Sequence, residues 1–258
     1  MAKKHLGIAE VVSQTELIED IYSLWIANEE IARAARPGQF VSVYSDDERN
    51  LLPRPISICE INKEEGTLRL VYRIAGKGTL EFSKKQKGDT LRVMGPLGNG
   101  WPEVEGKALL IGGGIGIPPV VELGKALKAR GNEVITACGY RSELFLEEEI
   151  RANGEMLIST DDGSHGVKGT VIDAIKEAGV KADVILACGP TPMLRGVKAF
   201  AKEEGILCYV SMEERMACGI GACLGCVCNS AEVDDHSKVK NKRVCADGPV
   251  FLASEVEL

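Results

Sequence analysis

The stretch ALLIGGGIGIPPVVELGKALKARG, residues 108–131, decides the fold. Four apolar residues read as a buried strand. Gly112, Gly113, Gly114 and Gly116 then make a loop, and Pro118 and Pro119 open an amphipathic helix. Proline suits a first helical turn because its missing N–H has no partner there in any case. A strand that ends in glycines and feeds a helix N-terminus presents backbone N–H groups to an anion such as a pyrophosphate. The loop departs from strict G-x-G-x-x-G, so a plain tight connection remains the alternative.

Working outward, the alternation continues. EVITACGY (133–140) is a strand, 144–153 a helix and EMLIST (155–160) a strand. VIDAIKEAG (171–179) is helical, DVILACGP (183–190) a strand and TPMLRGVKAFAKEEG (191–205) a helix. Such alternation predicts a parallel sheet of βαβ units over 103–211. Cys188, Gly189 and Pro190 end one strand just before a helix. Ligands bind at strand C-termini in open sheets, so this second loop can face the first across one crevice.

Residues 1–102 have a different texture. IAEVVSQTELIEDIYSLWIAN (8–28), QFVSVYS (39–45), TLRLVYRI (67–74) and DTLRVMGPLG (89–98) carry β-branched and aromatic residues with partial alternation. Turns are expected at Pro37-Gly38, Lys87-Gly88 and Gly95-Pro96. Many short strands predict a small antiparallel barrel. Arg54-Pro55-Ile56-Ser57 sets a guanidinium beside a rigid turn, where its planar fork suits a phosphate. Gly76-Lys77-Gly78-Thr79 precedes a short helix expected at 80–84, a second anion-binding arrangement. A surface ion pair and an ordinary hairpin turn explain these two motifs equally well.

Residues 212–258 form a cysteine module. Cys218, Cys223 and Cys226 give C-x4-C-x2-C, with Cys245 downstream, the plant-type spacing for a [2Fe-2S] cluster. Glycines between them let backbone wrap a compact ligand. Structural zinc favours two C-x2-C pairs, and nine cysteines without a signal-like start argue against a disulfide framework. Cys228 is a fifth candidate. Cys59, Cys138, Cys188 and Cys208 sit in apolar runs and are expected to be buried hydrophobes. The polar run DDHSKVKNKR (234–243) is expected to be a solvated loop.

A net charge of −7 over 258 residues disfavours nucleic acid as a partner, and no apolar run suits a membrane span. A reducing cytoplasm is expected from the free thiols. His5, His165 and His236 show no ligand or triad spacing, so no catalytic acid or base is expected. Arg141 could meet a 2′-phosphate, whereas Glu143 and Glu147 to Glu149 oppose one, which favours NAD over NADP.

The ordered motifs resemble the ferredoxin-reductase superfamily. Arg54–Ser57 is similar to its R-P-x-S flavin motif, Gly76–Thr79 to its phosphate loop, Gly112–Pro119 to its G-G-G-x-G-x-x-P loop and Cys188–Met193 to its C-G-P-x-P-M motif. With Met216–Cys228 and Val244–Phe251 added, the chain resembles the family of electron-transfer subunits of class 1B dihydroorotate dehydrogenase. That resemblance implies FAD contacts at Arg54, Pro55, Ile56 and Ser57, and along Val71, Tyr72 and Arg73, where Tyr72 offers a stacking face. It implies the FAD pyrophosphate at Gly76, Gly78 and Thr79. Nicotinamide dinucleotide would lie over Gly112, Gly113, Gly114, Gly116, Cys188, Gly189 and Pro190, and the cluster on Cys218, Cys223, Cys226 and Cys245. The implied partner is an FMN-containing catalytic subunit in a 2+2 heterotetramer, with electrons running from dihydroorotate through FMN, cluster and FAD to NAD+. Alternatives are a related flavin/iron–sulfur subunit of a sulfide dehydrogenase, hydrogenase or ferredoxin-NADP reductase, or a nucleotide-binding regulator with structural zinc. Plain ferredoxin reductases end in an aromatic residue over the flavin. Here the cysteine module follows instead, leaving the cover of that face to be found.

Overall fold

The computed structural model describes residues 4–47, 49–233 and 238–258. Strands β1 (His5–Ile18), β2 (Ile21–Ala27), β3 (Phe40–Val43), β4 (Arg54–Asn62), β5 (Thr67–Arg73) and β6 (Thr90–Leu97) close into an antiparallel barrel of order β1-β2-β5-β4-β3-β6. Helices α1 (Glu29–Ala34) and α2 (Lys77–Phe82) flank it. Closure depends on the length of β1. Its first half pairs with β6 from His5↔Gly95 to Glu10↔Thr90, and its second half pairs with β2. A register shift between Val11 and Ser13 bends the strand between its two neighbours. Leu24, Ile26, Leu68, Leu70, Leu91 and Val93 fill the interior.

Two local expectations fail in the barrel. Gly95-Pro96 lies inside β6 and makes no turn. Pro96 sits at the irregularity where Phe40 faces Leu97 and Ser42 faces Met94, so its missing N–H costs no ladder bond. The short helix starts at Lys77, not at residue 80, so Gly78 and Thr79 belong to its first turn and Gly76 is its cap.

The central region holds β7 (Lys107–Gly113), α3 (Pro118–Ala129), β8 (Glu133–Tyr140), α4 (Glu147–Asn153), β9 (Glu155–Thr160) and β10 (Val167–Lys168). There follow α5 (Val171–Ala178), β11 (Val184–Cys188), α6 (Thr191–Glu204) and β12 (Leu207–Ser211). Helix α4 begins three residues later than expected. Leu146 takes a left-handed conformation with φ 59°, which ends the preceding loop and starts the helix at Glu147. The tail adds β13 (Val227–Asn229), β14 (Asn241–Arg243) and β15 (Val250–Leu252).

The sheet order is β10-β9-β8-β7-β11-β12-β15. Sequence order runs one way from β7 through β8 and β9 and the other way from β11 to β12. The switch point therefore falls between β7 and β11. β15 joins antiparallel to β12, so the end of the cysteine module expected over 212–258 completes this sheet. Of the polar run 234–243, Asn241–Arg243 form β14, while His236 lies outside the described residues.

Barrel and sheet share one interface. Ile21, Cys59 and Val71 pack with Val120, Val121 and Leu123 of α3. The Ile61 N–H donates to Glu122 Oε2 at 3.0 Å. Arg69 bridges the two halves. Its Nη1 reaches Glu60 at 2.7 Å and Glu149 of α4 at 2.6 Å, and its Nε donates to Ser23 Oγ at 2.8 Å. Losing one partner of such a pair leaves the other charges in poor solvent. Arg69→Ala is thus expected to lower unfolding free energy by about 3 kcal/mol in urea titration, and a loss under about 1 kcal/mol would contradict this role. Burial raises the pKa of Glu122, and the Ile61 amide and Lys125 only partly offset it. A raised carboxyl pKa destabilises the fold once pH exceeds the unfolded value, about 4.3. Glu122→Gln, which still accepts from Ile61, should raise the urea midpoint at pH 7. The gain should fade as pH falls and vanish below about pH 4.

Candidate electron-transfer site

The loop after β7 and the loop after β11 meet in direct contact. Gly116 leaves no room for a side chain, since a Cβ there would stand 2.4 Å from the Cys188 carbonyl oxygen. Gly114, with φ 52°, faces open space. These two loops form one end of a crevice of about 530 Å³. Gly113, Gly114, Gly116, Gly189 and Pro190 line it, together with Tyr140, Arg141, Ser159, Asp161 and Thr170. Gly112 and Cys188 lie beneath the crevice in the packed floor. Burial pushes the Cys188 thiol up, and it is the carbonyl of this residue that meets Gly116.

A second cavity, also about 530 Å³, opens between barrel and sheet. Its barrel side holds Phe40, Arg54, Pro55, Ile56, Ser57, Val71, Tyr72, Arg73 and Thr79. Two sequence motifs converge here. A Cβ on Gly78 would stand 2.7 Å from Arg54 Nε, so the Arg54 guanidinium packs directly on the first turn of α2 and a larger residue 78 would shift it. The Arg54 guanidinium also bonds the Leu52 carbonyl, which fixes its reach. Thr79 Oγ1 accepts from the Ala75 and Gly76 amides at 2.8 and 3.2 Å, locking the loop before α2. Gly76 and Gly78 shape this loop without lining the cavity. Tyr72 is more committed than expected of a stacking platform. It is 3% exposed, its hydroxyl donates to Gln14 Oε1 at 2.9 Å, and its ring stacks on Tyr22 at 6.0 Å.

The two cavities share a wall of Arg73, Ile115 and Glu213. The two cavities are therefore immediate neighbours. Surrounding protein raises the pKa of Glu213 although its carboxylate opens onto the cavities, and the Arg73 charge opposes the shift. The opposite wall of the second cavity is Ser211–Met216 with Pro249. Sequence reasoning left the cover of this face open and did not single out this run. The signal was available, because SMEERM leaves a strand at the C-terminal edge of the sheet.

The cluster loop begins two residues beyond Met216. Cys218 and Cys223 are hydrogen-bonded neighbours, as are Cys226 and Cys245. Backbone amides converge on the sulfurs. Ile220 and Ala222 donate to Cys218 Sγ at 3.4 and 3.3 Å, Gly221 to Cys245 Sγ at 3.2 Å and Cys245 N–H to Cys226 Sγ at 3.4 Å. Partial burial opposes ionisation of Cys218, but the Ile220 amide, Cys223 and the Ala222 amide outweigh it and bring its pKa down to about 6. Burial and then the neighbouring Cys226 push Cys245 up to about 12. Two thiol pairs under a canopy of N–H donors fit a two-iron centre, each pair taking one metal. Among the described residues no three His, Cys, Asp or Glu side chains converge on a single ion. Cys228 lies on β13, buried between exposed Val227 and Asn229 in the same apolar cluster as Cys226 and Cys245.

A family model described as the iron-sulfur cluster binding domain of dihydroorotate dehydrogenase B matches residues 213–257. The dihydroorotate dehydrogenase B (NAD(+)) electron transfer subunit of Geobacillus kaustophilus is 44% identical over 255 residues, 96% of this chain and 97% of that protein. Its counterpart in Bacillus velezensis is 44% identical across the full length of both. The chain belongs to the family of dihydroorotate dehydrogenase B electron transfer subunits. Among solved structures, a chain of an NADH-dependent reduced ferredoxin-NADP oxidoreductase, a flavin-based bifurcating system, superposes with TM-score 0.88 at 34% identity, covering 97% of this chain and 90% of that one. The ferredoxin reductase of carbazole 1,9a-dioxygenase, with TM-score 0.67 at 20% identity over 79% of this chain and 67% of that one, shows the fold alone. The iron–sulfur match removes the zinc alternative. In this family member the charge argument for NAD also changes. Glu147 pairs with Arg151 and Glu149 with Arg69, and the acids that line the crevice with Arg141 are Asp161 and Glu213. Among the described residues no helix is long and apolar enough to cross a membrane. His5 pairs with Glu30 at 3.1 Å and His165 sits on an exposed loop, away from both cavities.

Proposed function

We propose that this chain moves electrons between nicotinamide dinucleotide and an FMN-containing catalytic subunit that oxidises dihydroorotate to orotate, in a 2+2 heterotetramer of the reducing cytoplasm. The observation that carries this reading is the shared wall of Arg73, Ile115 and Glu213, with the cluster loop starting two residues from the second cavity. FAD supplies exchange between paired and single electrons, and the [2Fe-2S] centre supplies one-electron passage to the partner. Arg54 offers its guanidinium to the flavin phosphates, while Ile56, Ser57, Val71 and Arg73 flank the ring system. Gly113, Gly114 and Gly116 bring backbone close to the dinucleotide, and the start of α3 favours its negative charge. Met212–Met216 and Pro249 keep water from the flavin's far side. Cys218, Cys223, Cys226 and Cys245 would hold the [2Fe-2S] cluster.

A second reading draws on the bifurcating ferredoxin-NADP oxidoreductase, whose chain matches over nearly the same span. The 44% relatives favour dihydroorotate. Two outcomes follow. The anaerobically purified chain should oxidise NADH with an artificial acceptor, and NADH oxidation with orotate should appear only when the co-purifying FMN subunit is present. A co-purifying partner without FMN, giving ferredoxin-dependent turnover, would favour the second reading. Separately, Cys245→Ser should empty the site of iron and sulfide, whereas Cys228→Ser should keep both. The reverse pattern would overturn the ligand assignment.

A further inference from the structure

One segment serves two centres. Cys245 sits in the thiol nest, and Pro249, four residues on, lines the flavin cavity. Whatever holds Cys245–Val250 therefore sets the offset between cluster and flavin. The structure assigns that task to Asn99, on the turn leaving β6. Its side chain behaves as a peptide group inserted between barrel and tail. Asn99 Nδ2 donates to the Asp247 carbonyl at 3.1 Å and to the Val250 carbonyl at 2.9 Å. Asn99 Oδ1 accepts from the Val250 N–H at 3.1 Å, and the Asn99 N–H donates to the Gly248 carbonyl at 2.7 Å. Three of these four bonds need the carboxamide, and no other residue type of this size supplies two donors and an acceptor.

The surroundings leave the clamp no slack. A Cβ on Gly98 would stand 2.4 Å from Pro249 Cδ, so the turn presses directly on the flavin wall. The Met212 N–H donates to the Pro249 carbonyl at 2.9 Å, tying the segment to the run leaving β12. On the cluster side, Arg243 grips Asp247 through Nε at 3.0 Å and Nη2 at 2.9 Å, and its Nη1 reaches the Gly221 carbonyl at 3.2 Å. A continuous chain of bonds thus runs from the barrel through Asn99 and Arg243 into the Cys218–Cys223 loop. None of these bonds touches the nicotinamide crevice.

Asn99 is accordingly a positioning residue for passage between the two centres and not for hydride exchange. This rests on the function proposed above. Hydride exchange carries two electrons and one proton from NADH to the flavin and leaves NAD+. Passage onward moves one electron to the oxidised cluster, and the flavin's proton leaves to solvent. The first step depends on the wall of Arg73, Ile115 and Glu213, and the second on the segment that Asn99 holds.

The test mixes the holo chain with NADH under anaerobic conditions and follows flavin bleaching and cluster reduction separately. In Asn99→Ala, flavin bleaching should stay within about twofold of wild type while cluster reduction slows about tenfold or more, as expected when two centres lose fixed alignment. Asn99→Asp keeps the shape but turns a carboxylate toward two carbonyls, and it should slow cluster reduction likewise. A role in shape alone would leave Asp equal to wild type and would overturn the inference. Amide exchange supplies a readout independent of turnover, and the Val250 N–H of the Ala variant should exchange about tenfold faster or more. Unchanged cluster reduction, or equal slowing of both steps, overturns the assignment to Asn99. A wild-type chain lacking flavin or cluster would instead sink the function proposed above.

Discussion

The ladder between β12 and β15 is the constraint on which the site depends. Only three residue pairs make it: Tyr209↔Leu252, Val210↔Phe251 and Ser211↔Val250. Because the pairing is antiparallel, the chain leaving β12 and the chain arriving at β15 run side by side beyond the sheet edge. The first becomes Met212–Met216 and leads into Cys218. The second comes from Cys245 and passes through Pro249. Two cysteine-bearing segments are thereby brought to the same wall of the same cavity. The apolar contacts that accompany the ladder reinforce it. Phe251, Val244, Cys226 and Cys245 are buried in one cluster with Phe40 of the barrel and Val210 of the sheet.

The electrostatic design follows from the same geometry. In a chain of net charge −7, the cavities between barrel and sheet draw on Arg54, Arg73 and Arg141. Phosphates carry their charge to a surface that would otherwise repel them. At the cluster loop the backbone supplies hydrogen bonds to sulfur, from the N–H groups of Ile220, Gly221, Ala222 and Cys245. Such donors are fixed by the loop and need little reorganisation when charge on the centre changes. Cys59, Cys138 and Cys208 take no part, since burial pushes each thiol up and leaves it a small hydrophobe.

What the sequence disclosed was local periodicity and spacing. The barrel strands, the βαβ alternation and the Cys218–Cys226 spacing each depend on residues close in sequence. Long-range placement was illegible. VFL at 250–252 is too short to announce a strand, and nothing near it names β12 as its neighbour. The Arg54–Gly78 contact joins two motifs that looked independent and ambiguous, and each gains meaning only from the other. Glu147 and Glu149 appeared to guard Arg141, yet their helix start at a left-handed Leu146 turns them toward Arg151 and Arg69. Tyr72 lines the second cavity, but its hydroxyl's partner Gln14 lies 58 residues earlier and could not be read from the strand alone.

The most direct test of the account is an anaerobic reductive titration of the purified chain, with the electrons taken up counted by visible absorption and spin quantified by electron paramagnetic resonance. The account predicts about three electron equivalents per chain, about two in a bound flavin and about one in a [2Fe-2S] signal. Uptake of about two or fewer, with no iron–sulfur spin after full cofactor supply, would contradict it.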